Sequence, residues 1–374
     1  MSSVGGADAS RPEGGVAGAP VRPRLGPRTD VALMAGYHSP QVDVDVRLNV
    51  NESPFPPPPE FLDAVADAVT KVGWHRYPDR AALRLRSKIA AAHGVDAGQV
   101  FVANGSNEVL QTLSLTYGGA GRSVAVFEPT YALHSHIARL TGATVAEGAR
   151  ADDFALDVTE VRRVVAEAAP ALTYLCSPNN PTGLVETPET VREVLALVPG
   201  LLVVDEAYGQ FAPWSALELV DDDTPLVVTR TFSKTWSMAA ARLGYLVGPS
   251  WVVDELQKVV LPYHLDALKQ VAGILALDHV AAMESRVAHL VEERGRLEAA
   301  LRDLPCEVWP SGANFILFRP TSRAGAEVWR ALLDHSVLVR DCSSWPRLDG
   351  CLRVTVGTTD EDDRFLAALR EILR

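Results

Sequence analysis

The sequence predicts an α/β protein: a large, mostly parallel sheet between helices, with a smaller α/β layer beside it. Two observations predict this. From about residue 72, short continuous apolar runs alternate with helical patterns, as expected of strands buried on both faces. In the C-terminal third, a long amphipathic helix replaces that rhythm and is followed by shorter strands. The length of 374 residues suits two domains sharing a cleft better than one small core.

Residues 1–30 are rich in Gly, Ala, Pro and Ser and nearly free of large apolar side chains. Such a segment buries too little surface to offset its ordering entropy, so a disordered tail is predicted. Residues around 42–48 precede the large sheet and are assigned to the small one. A strand at 100–103 leads into a helix at 107–117 with apolar Val109, Leu110, Leu113 and Leu115. The apolar run 123–127 is followed by a turn at Glu128-Pro129 and a helix from about Tyr131. Strands at 172–176, 201–205, 226–230 and 243–247 continue the series. The long helix spans 283–304, and short strands follow at 314–318, 337–340 and 352–356. This divides the chain into a tail (1–30), a large domain (71–269) and a small domain (31–70 with 270–374).

Composition narrows the function classes. The hydrophobic fraction of 47% and charged fraction of 22% are those of an ordinary globular protein. A formal net charge of −12 argues against a nucleic-acid partner. Cys176, Cys306, Cys342 and Cys351 form no C-x-x-C pair, and no H-E-x-x-H is present, so neither a disulfide framework nor a metal site is expected. No apolar run is long enough for a membrane span, and the N-terminus lacks the apolar stretch of a signal peptide. The expected location is the cytoplasm.

Ligands of open parallel sheets bind at the carboxyl ends of the strands. Four polar groups fall there. Asn104-Gly105-Ser106-Asn107-Glu108 joins a strand to a helix, and a helix N-terminus suits an anion; taken alone, Gly-Ser also reads as ordinary capping. Asp205 closes the apolar run Leu201-Leu202-Val203-Val204, where a carboxylate needs a cationic partner. A protonated pyridine nitrogen would serve, and so would an arginine or a helix N-terminus. Ser233-Lys234 follows the 226–230 strand, with Arg242 eight residues on. A lysine in a cleft loses its proton through desolvation and becomes a nucleophile, whereas a solvated lysine does not. Ser177-Pro178-Asn179-Asn180-Pro181-Thr182-Gly183 is the most specific of the four, since two prolines and a glycine fix an unusual loop.

Together with Leu48-Asn49-Val50-Asn51-Glu52-Ser53-Pro54, Tyr77-Pro78, Pro129-Thr130-Tyr131, Asp205-Glu206-Ala207-Tyr208, Asn314-Phe315-Ile316-Leu317, Val339-Arg340-Asp341 and Leu352-Arg353-Val354, these segments resemble the fold-type I pyridoxal-5′-phosphate (PLP) aminotransferases. The likeness is strongest to the histidinol-phosphate aminotransferases and runs from about Tyr37 to the C-terminus. It implies that Lys234 holds the cofactor as an imine and shuttles the proton. Asp205 would partner the ring nitrogen. Asn180 and Tyr208 would donate to the phenolic oxygen, and Tyr131 would stack on the ring. Ser106, Asn107, Ser233 and Arg242 would cradle the cofactor phosphate, with Glu108 in the same loop counted among the cofactor residues. Tyr77 would reach the phosphate of a neighbouring subunit, which implies a homodimer. Arg340, Arg353, Tyr37 and Asn51 would bind substrate.

The implied reaction is transamination of L-histidinol phosphate with 2-oxoglutarate, giving imidazole-acetol phosphate and glutamate, a step of histidine biosynthesis. An aromatic amino-acid aminotransferase needs the same cofactor residues and is the nearest alternative. A phosphothreonine decarboxylase is a more distant one. Two stretches depart from the family pattern: Thr235-Trp236-Ser237-Met238-Ala239-Ala240-Ala241 after the lysine, and the insert 342–350 near the substrate arginines.

Overall fold

The computed structural model describes residues 25–32, 34, 36 and 41–374. The chain separates into two units, 1–37 and 38–374. Most of the predicted tail, and Tyr37, lie outside the described residues. In the first unit, Thr29 and Asp30, which the sequence reading placed in the tail, begin the short helix α1 (Thr29–Ala32).

The second unit opens with β1 (Val46–Leu48), α2 (Pro59–Thr70) and α3 (Leu83–His93). A seven-stranded sheet follows, built from β2 (Val100–Ala103), β3 (Ser123–Glu128), β4 (Thr144–Ala149), β5 (Leu172–Cys176), β6 (Leu201–Asp205), β7 (Leu226–Thr231) and β8 (Gly244–Val247). Its order is β2-β8-β7-β6-β5-β3-β4. Every strand except β8 runs parallel to the others. The helices α4 (Ser106–Tyr117), α5 (Leu133–Leu140), α6 (Val158–Ala168), α7 (Pro188–Leu197) and α8 (Ser250–Val259) cover the two faces.

Successive side chains of a strand point to opposite faces, and here both faces are core. Val124 and Val126 of β3 pack with α4, α5 and α8, while Ala125 and Phe127 pack with α6 and α7. Leu201 and Val203 of β6 divide from Leu202 and Val204 in the same way. That is why these strands read as unbroken apolar runs. The edge strand β4 was not predicted, because only Gly148 in it is buried and its sequence carries no such run.

The smaller sheet has the order β1-β11-β12-β10-β9, with β9 (Cys306–Val308), β10 (Phe315–Pro320), β11 (Val337–Asp341) and β12 (Leu352–Thr355). As expected from the sequence, the 42–48 segment joins it: Val46 pairs with Val337 in a parallel ladder. Helices α9 (Ala267–Ala276), α10 (Val280–Arg302), α11 (Gly325–Asp334) and α12 (Thr359–Ile372) complete the chain. Leu297 and Leu301 of α10, Leu332 of α11 and Phe365 of α12 pack on Phe315 and Phe318 in one core. Phe61, Ala272 and Met283, assigned from sequence to the small domain, pack instead with Val100, Val102 and Tyr245 of the large sheet.

Candidate active site

The carboxyl ends of β5, β6 and β7 open onto a cavity of about 150 Å³ lined by Asn180, Asp205, Tyr208 and Lys234. Ser106, Asn107, Tyr131, Ser233 and Arg242 complete its predicted wall. Lys234 and Asp205, 29 positions apart in the sequence by their numbering, therefore share one cavity.

Asp205 ends β6 and is buried. Its Oδ1 accepts from the Thr229 hydroxyl and the Ala207 N–H, each at 3.1 Å, and its Oδ2 lies 3.0 Å from His134 Nε2. A buried carboxylate survives only with such donors. The imidazole lies flat on Tyr174, centroids 4.7 Å apart, and meets Tyr131 edge-on at 5.4 Å. Asp205 is thus oriented by β7, by the turn after β6 and by α5. Sequence reasoning missed His134, as it stands inside an ordinary helix with no motif to mark it.

Lys234 Nζ donates to the Val50 carbonyl at 3.1 Å and lies 5.7 Å from the Tyr208 ring centroid. Burial draws its amine down to about 8, the positive charges of Arg353 and Arg242 add to the effect, and Glu52 opposes it. The neutral, nucleophilic amine is therefore reached at lower pH than in a solvated lysine. Tyr208 is pushed the other way by burial, to about 12, against the opposing influence of Arg353 and of the Asn51 hydrogen bond.

The segment after β1 crosses from the small sheet to this cavity. Three consecutive residues make contact: the Asn49 carbonyl accepts from Arg353 at 3.0 Å, the Val50 carbonyl from Lys234, and Asn51 Nδ2 donates to the Tyr208 hydroxyl at 2.9 Å. Asn51 adopts a positive φ of 56° and is fastened by Thr355 through its N–H and its Oδ1, each at 3.0 Å. Asparagine tolerates that backbone region better than most residues.

The N-terminus of α4, which no side chain caps, could accept an anion. The first N–H groups of a helix have no partner within it. Gly105, at φ 83°, lets the Arg242 guanidinium approach: a Cβ there would lie 3.0 Å from Nη2. At Gly244 a Cβ would fall 2.2 Å from the Ser106 nitrogen, so only glycine allows β8 to start against this loop. Arg242 Nη1 donates to the Ser233 hydroxyl at 3.3 Å, and Thr231 donates to the same oxygen at 3.0 Å. Thr231, Cys176 and Ala207 also line the cavity and were not singled out from sequence.

The heptapeptide loop is held by Asn179, not by the residue that faces the cavity. Asn179 Nδ2 donates to the Pro129 carbonyl at 3.0 Å and to Thr182 Oγ1 at 2.8 Å, while its Oδ1 accepts from Thr130. The 128–129, 177–178 and 180–181 peptides are cis. Asn180 lines the cavity, and its Oδ1 accepts from Arg353 Nη1 at 2.5 Å. Arg353 and Arg340 are direct partners across β11 and β12. Both lie in the small sheet, and Arg353 meets the cavity wall through Asn180.

Two of the predicted cofactor residues, Glu108 and Tyr77, stand apart from the cavity. The Glu108 carboxylate accepts from the N–H and the side chain of Asn104, at 2.5 and 2.8 Å, so it fastens the βα loop rather than facing a ligand. Tyr77 is 79% exposed and stacks on Tyr263 with centroids 4.4 Å apart. Tyr37 lies outside the described residues. Among the described residues no His, Cys, Asp and Glu cluster is arranged for a metal ion, and all four cysteines are free thiols.

The family model for aminotransferase class I and II matches residues 43–369. The chain belongs to the aminotransferase class I and II family. The histidinol-phosphate aminotransferase of Corynebacterium diphtheriae is 40% identical over 355 residues, 92% of this chain and 96% of that one. The enzyme of the same description from Mycobacterium marinum is 43% identical, with 92% of each chain covered. Among solved structures, the histidinol-phosphate aminotransferase of Sinorhizobium meliloti in complex with pyridoxal-5′-phosphate superposes with a TM-score of 0.84 at 24% identity, covering 93% of this chain and 97% of that one. The L-threonine-O-3-phosphate decarboxylase of Porphyromonas gingivalis shares the fold with a TM-score of 0.76 at 22% identity, over 88% and 99% of the two chains.

The aminotransferase cavity fits PLP on its own chemistry. It joins an amine of lowered pKa for an aldehyde, an uncapped helix N-terminus with Ser233 and Arg242 for a phosphate, and a buried carboxylate for a ring N–H. Among the described residues no helix is long and apolar enough to cross a membrane.

Proposed function

We propose that this aminotransferase exchanges the amino group of L-histidinol phosphate with 2-oxoglutarate, with PLP as cofactor, giving imidazole-acetol phosphate and glutamate for histidine biosynthesis. One observation carries the substrate reading: Arg340 and Arg353 stand opposite each other on adjacent strands, and Arg353 reaches the cavity through Asn180. Two directed cations beside the cofactor site suit an anionic substrate end, phosphate in one half of the reaction and carboxylate in the other. Identity of 40% or more to histidinol-phosphate aminotransferases over nearly the whole chain supports it.

When bound, PLP supplies the electron sink that lets the substrate carbon lose a proton. Lys234 would hold the cofactor and take the proton from the substrate carbon, a task suited to an amine whose pKa burial lowers to about 8. Asp205, held by His134 and Thr229, keeps a proton on the ring nitrogen. Tyr208 and Asn180 donate toward the phenolic oxygen, and Tyr131 covers the ring. Ser106, Asn107, Ser233 and Arg242 bind the cofactor phosphate. Arg340 and Arg353 bind the anionic end of each substrate in turn, with Asn51 beside it. Glu108 serves the site through Asn104.

The same reading includes a cytoplasmic homodimer in which Tyr77 completes the partner's phosphate seat. The exposure of Tyr77, Tyr263 and Leu261 on one chain supports an interface there. It also keeps two domains, 71–269 against 31–70 with 270–374, with the packing of Phe61 and Met283 drawing the edges of the large one outward. Purified holoenzyme assayed with histidinol phosphate and with phenylalanine, each against 2-oxoglutarate, tests the function. Faster turnover of phenylalanine would replace it with an aromatic aminotransferase.

A further inference from the structure

We propose that Trp345, in the 342–350 insert, is a positioning residue that makes Arg340 and Arg353 into a single site for the substrate's phosphate. The inference rests on the proposed binding of an anionic substrate end by these two arginines and names what organises them.

Residues directly opposite in an antiparallel pair project from the same face of the sheet, and like charges placed so repel. Arg340 and Arg353 are such a pair. The Trp345 ring centroid lies 5.5 Å from Arg340 Cζ and 5.9 Å from Arg353 Cζ. One indole thus serves both guanidiniums, and the negative face of an aromatic ring attracts cations at this range. Phe315 adds a second ring 5.1 Å from Arg353 Cζ.

Arg353 is left with a donor to spare. Its Nη1 and Nη2 are taken by neutral oxygens, Asn180 Oδ1 and the Asn49 carbonyl, while its Nε is buried without a partner. A buried N–H with no acceptor is costly unless something supplies one. A phosphate oxygen is the acceptor the proposed reaction brings.

The indole is also held in place. The Trp345 backbone N–H donates to the Cys342 carbonyl at 2.9 Å, and the Trp345 carbonyl accepts from the Leu348 backbone N–H at 3.2 Å, which fixes the turn that carries the ring. Its ring packs beside Phe154, Trp309 and Leu348. Two residues on, Arg347 donates to the Arg150 carbonyl and pairs with Asp152 at 2.8 Å, tying the insert to the segment just after β4. A stretch that departs from the family pattern is therefore anchored over the substrate arginines.

The test compares wild-type, W345F and W345L holoenzymes on L-histidinol phosphate and on L-histidinol, which lacks the phosphate, at saturating 2-oxoglutarate. W345L is expected to raise KM for histidinol phosphate about tenfold with kcat within about twofold, while W345F stays within about threefold of wild type. On histidinol, kcat/KM should be unchanged in both variants. A structural role alone would not separate the two substrates, nor Phe from Leu. Wild-type behaviour of W345L, equal losses on both substrates, or a W345F no better than W345L would overturn the inference. If W345L does not fold, W345M makes the same comparison. A wild-type enzyme indifferent to the phosphate would instead overturn the substrate reading, and this inference with it.

Discussion

His134 Nε2 stands 3.0 Å from Asp205 Oδ2 while the imidazole lies flat on Tyr174, its plane tilted by only 7°. The stacked ring fixes the direction of the hydrogen bond, and the bond fixes the carboxylate. Phenylalanine at 134 would preserve the stack and remove the donor. His134→Phe is expected to lower kcat by roughly tenfold to a hundredfold, the worth of one charge-assisted hydrogen bond. Weaker PLP retention on dialysis should accompany it. Unchanged kcat and retention would show that Asp205 needs no help from α5.

Lys234→Ala should remove the absorbance band of the imine between Lys234 and PLP and cut turnover by roughly a thousandfold or more. The lowered pKa gives a second expectation. The amine is about 8 in the folded protein and 10.5 as its ordinary value. Between those two values the unfolded chain holds a proton that the folded chain does not. Stability of the PLP-free protein should therefore rise with pH through that window, and the gain should be absent below about 8. Thermal unfolding of PLP-free wild type and Lys234→Met, compared from neutral pH upward, isolates this contribution. Parallel curves for the two proteins would refute it.

Arg353→Gln removes a charge that meets Asn180, Asn49 and, in the proposed reaction, the substrate phosphate. KM for histidinol phosphate should rise by roughly a hundredfold, as for loss of one partner of a buried charged pair. Lysine at 353 should recover little of it, because a point charge cannot reproduce several directed donors. Steady-state kinetics of both variants decide the matter.

Asp362 is a fully buried carboxyl near the start of α12. Its Oδ1 accepts the Gly357 N–H at 3.0 Å, and its Oδ2 has no partner. Burial raises its pKa to about 7, the Gly357 bond opposes this, Glu293 and Glu361 reinforce it, and Arg296 lowers it. The folded state holds a proton that the unfolded state releases, so this contribution is present below the ordinary value of 3.8 and is lost as pH rises through about 7. Asp362→Asn should therefore stabilise the protein at pH 8 by roughly 1–3 kcal/mol and by little at pH 4. Denaturant titrations at the two pH values read this directly.

Tyr77 in a partner's site makes a prediction about mixtures. Where Lys234→Ala and Tyr77→Ala are each impaired, refolding them together in equal amounts should restore about a quarter of the sites, because mixed dimers carry one intact site each. No recovery beyond the sum of the two would confine Tyr77 to its own chain.

Strands β2, β5 and β6 were legible to the residue from the amino-acid order, because a strand buried on both faces must be apolar along its length. That order by itself also determined which polar groups sit at the strand ends, and Lys234, Asp205, Asn180 and Ser106 do line one cavity. Those signals are local, carried by neighbours in the chain. Only the tertiary structure decided that β8 runs against its neighbours, that His134 reaches Asp205 across 71 positions, and that Asn51 meets Thr355 across 304. It likewise turned Glu108 back toward Asn104 and set Trp345 over both arginines. Such pairings depend on how finished elements pack, and no periodicity in the chain encodes which distant side chain will complete a buried polar group.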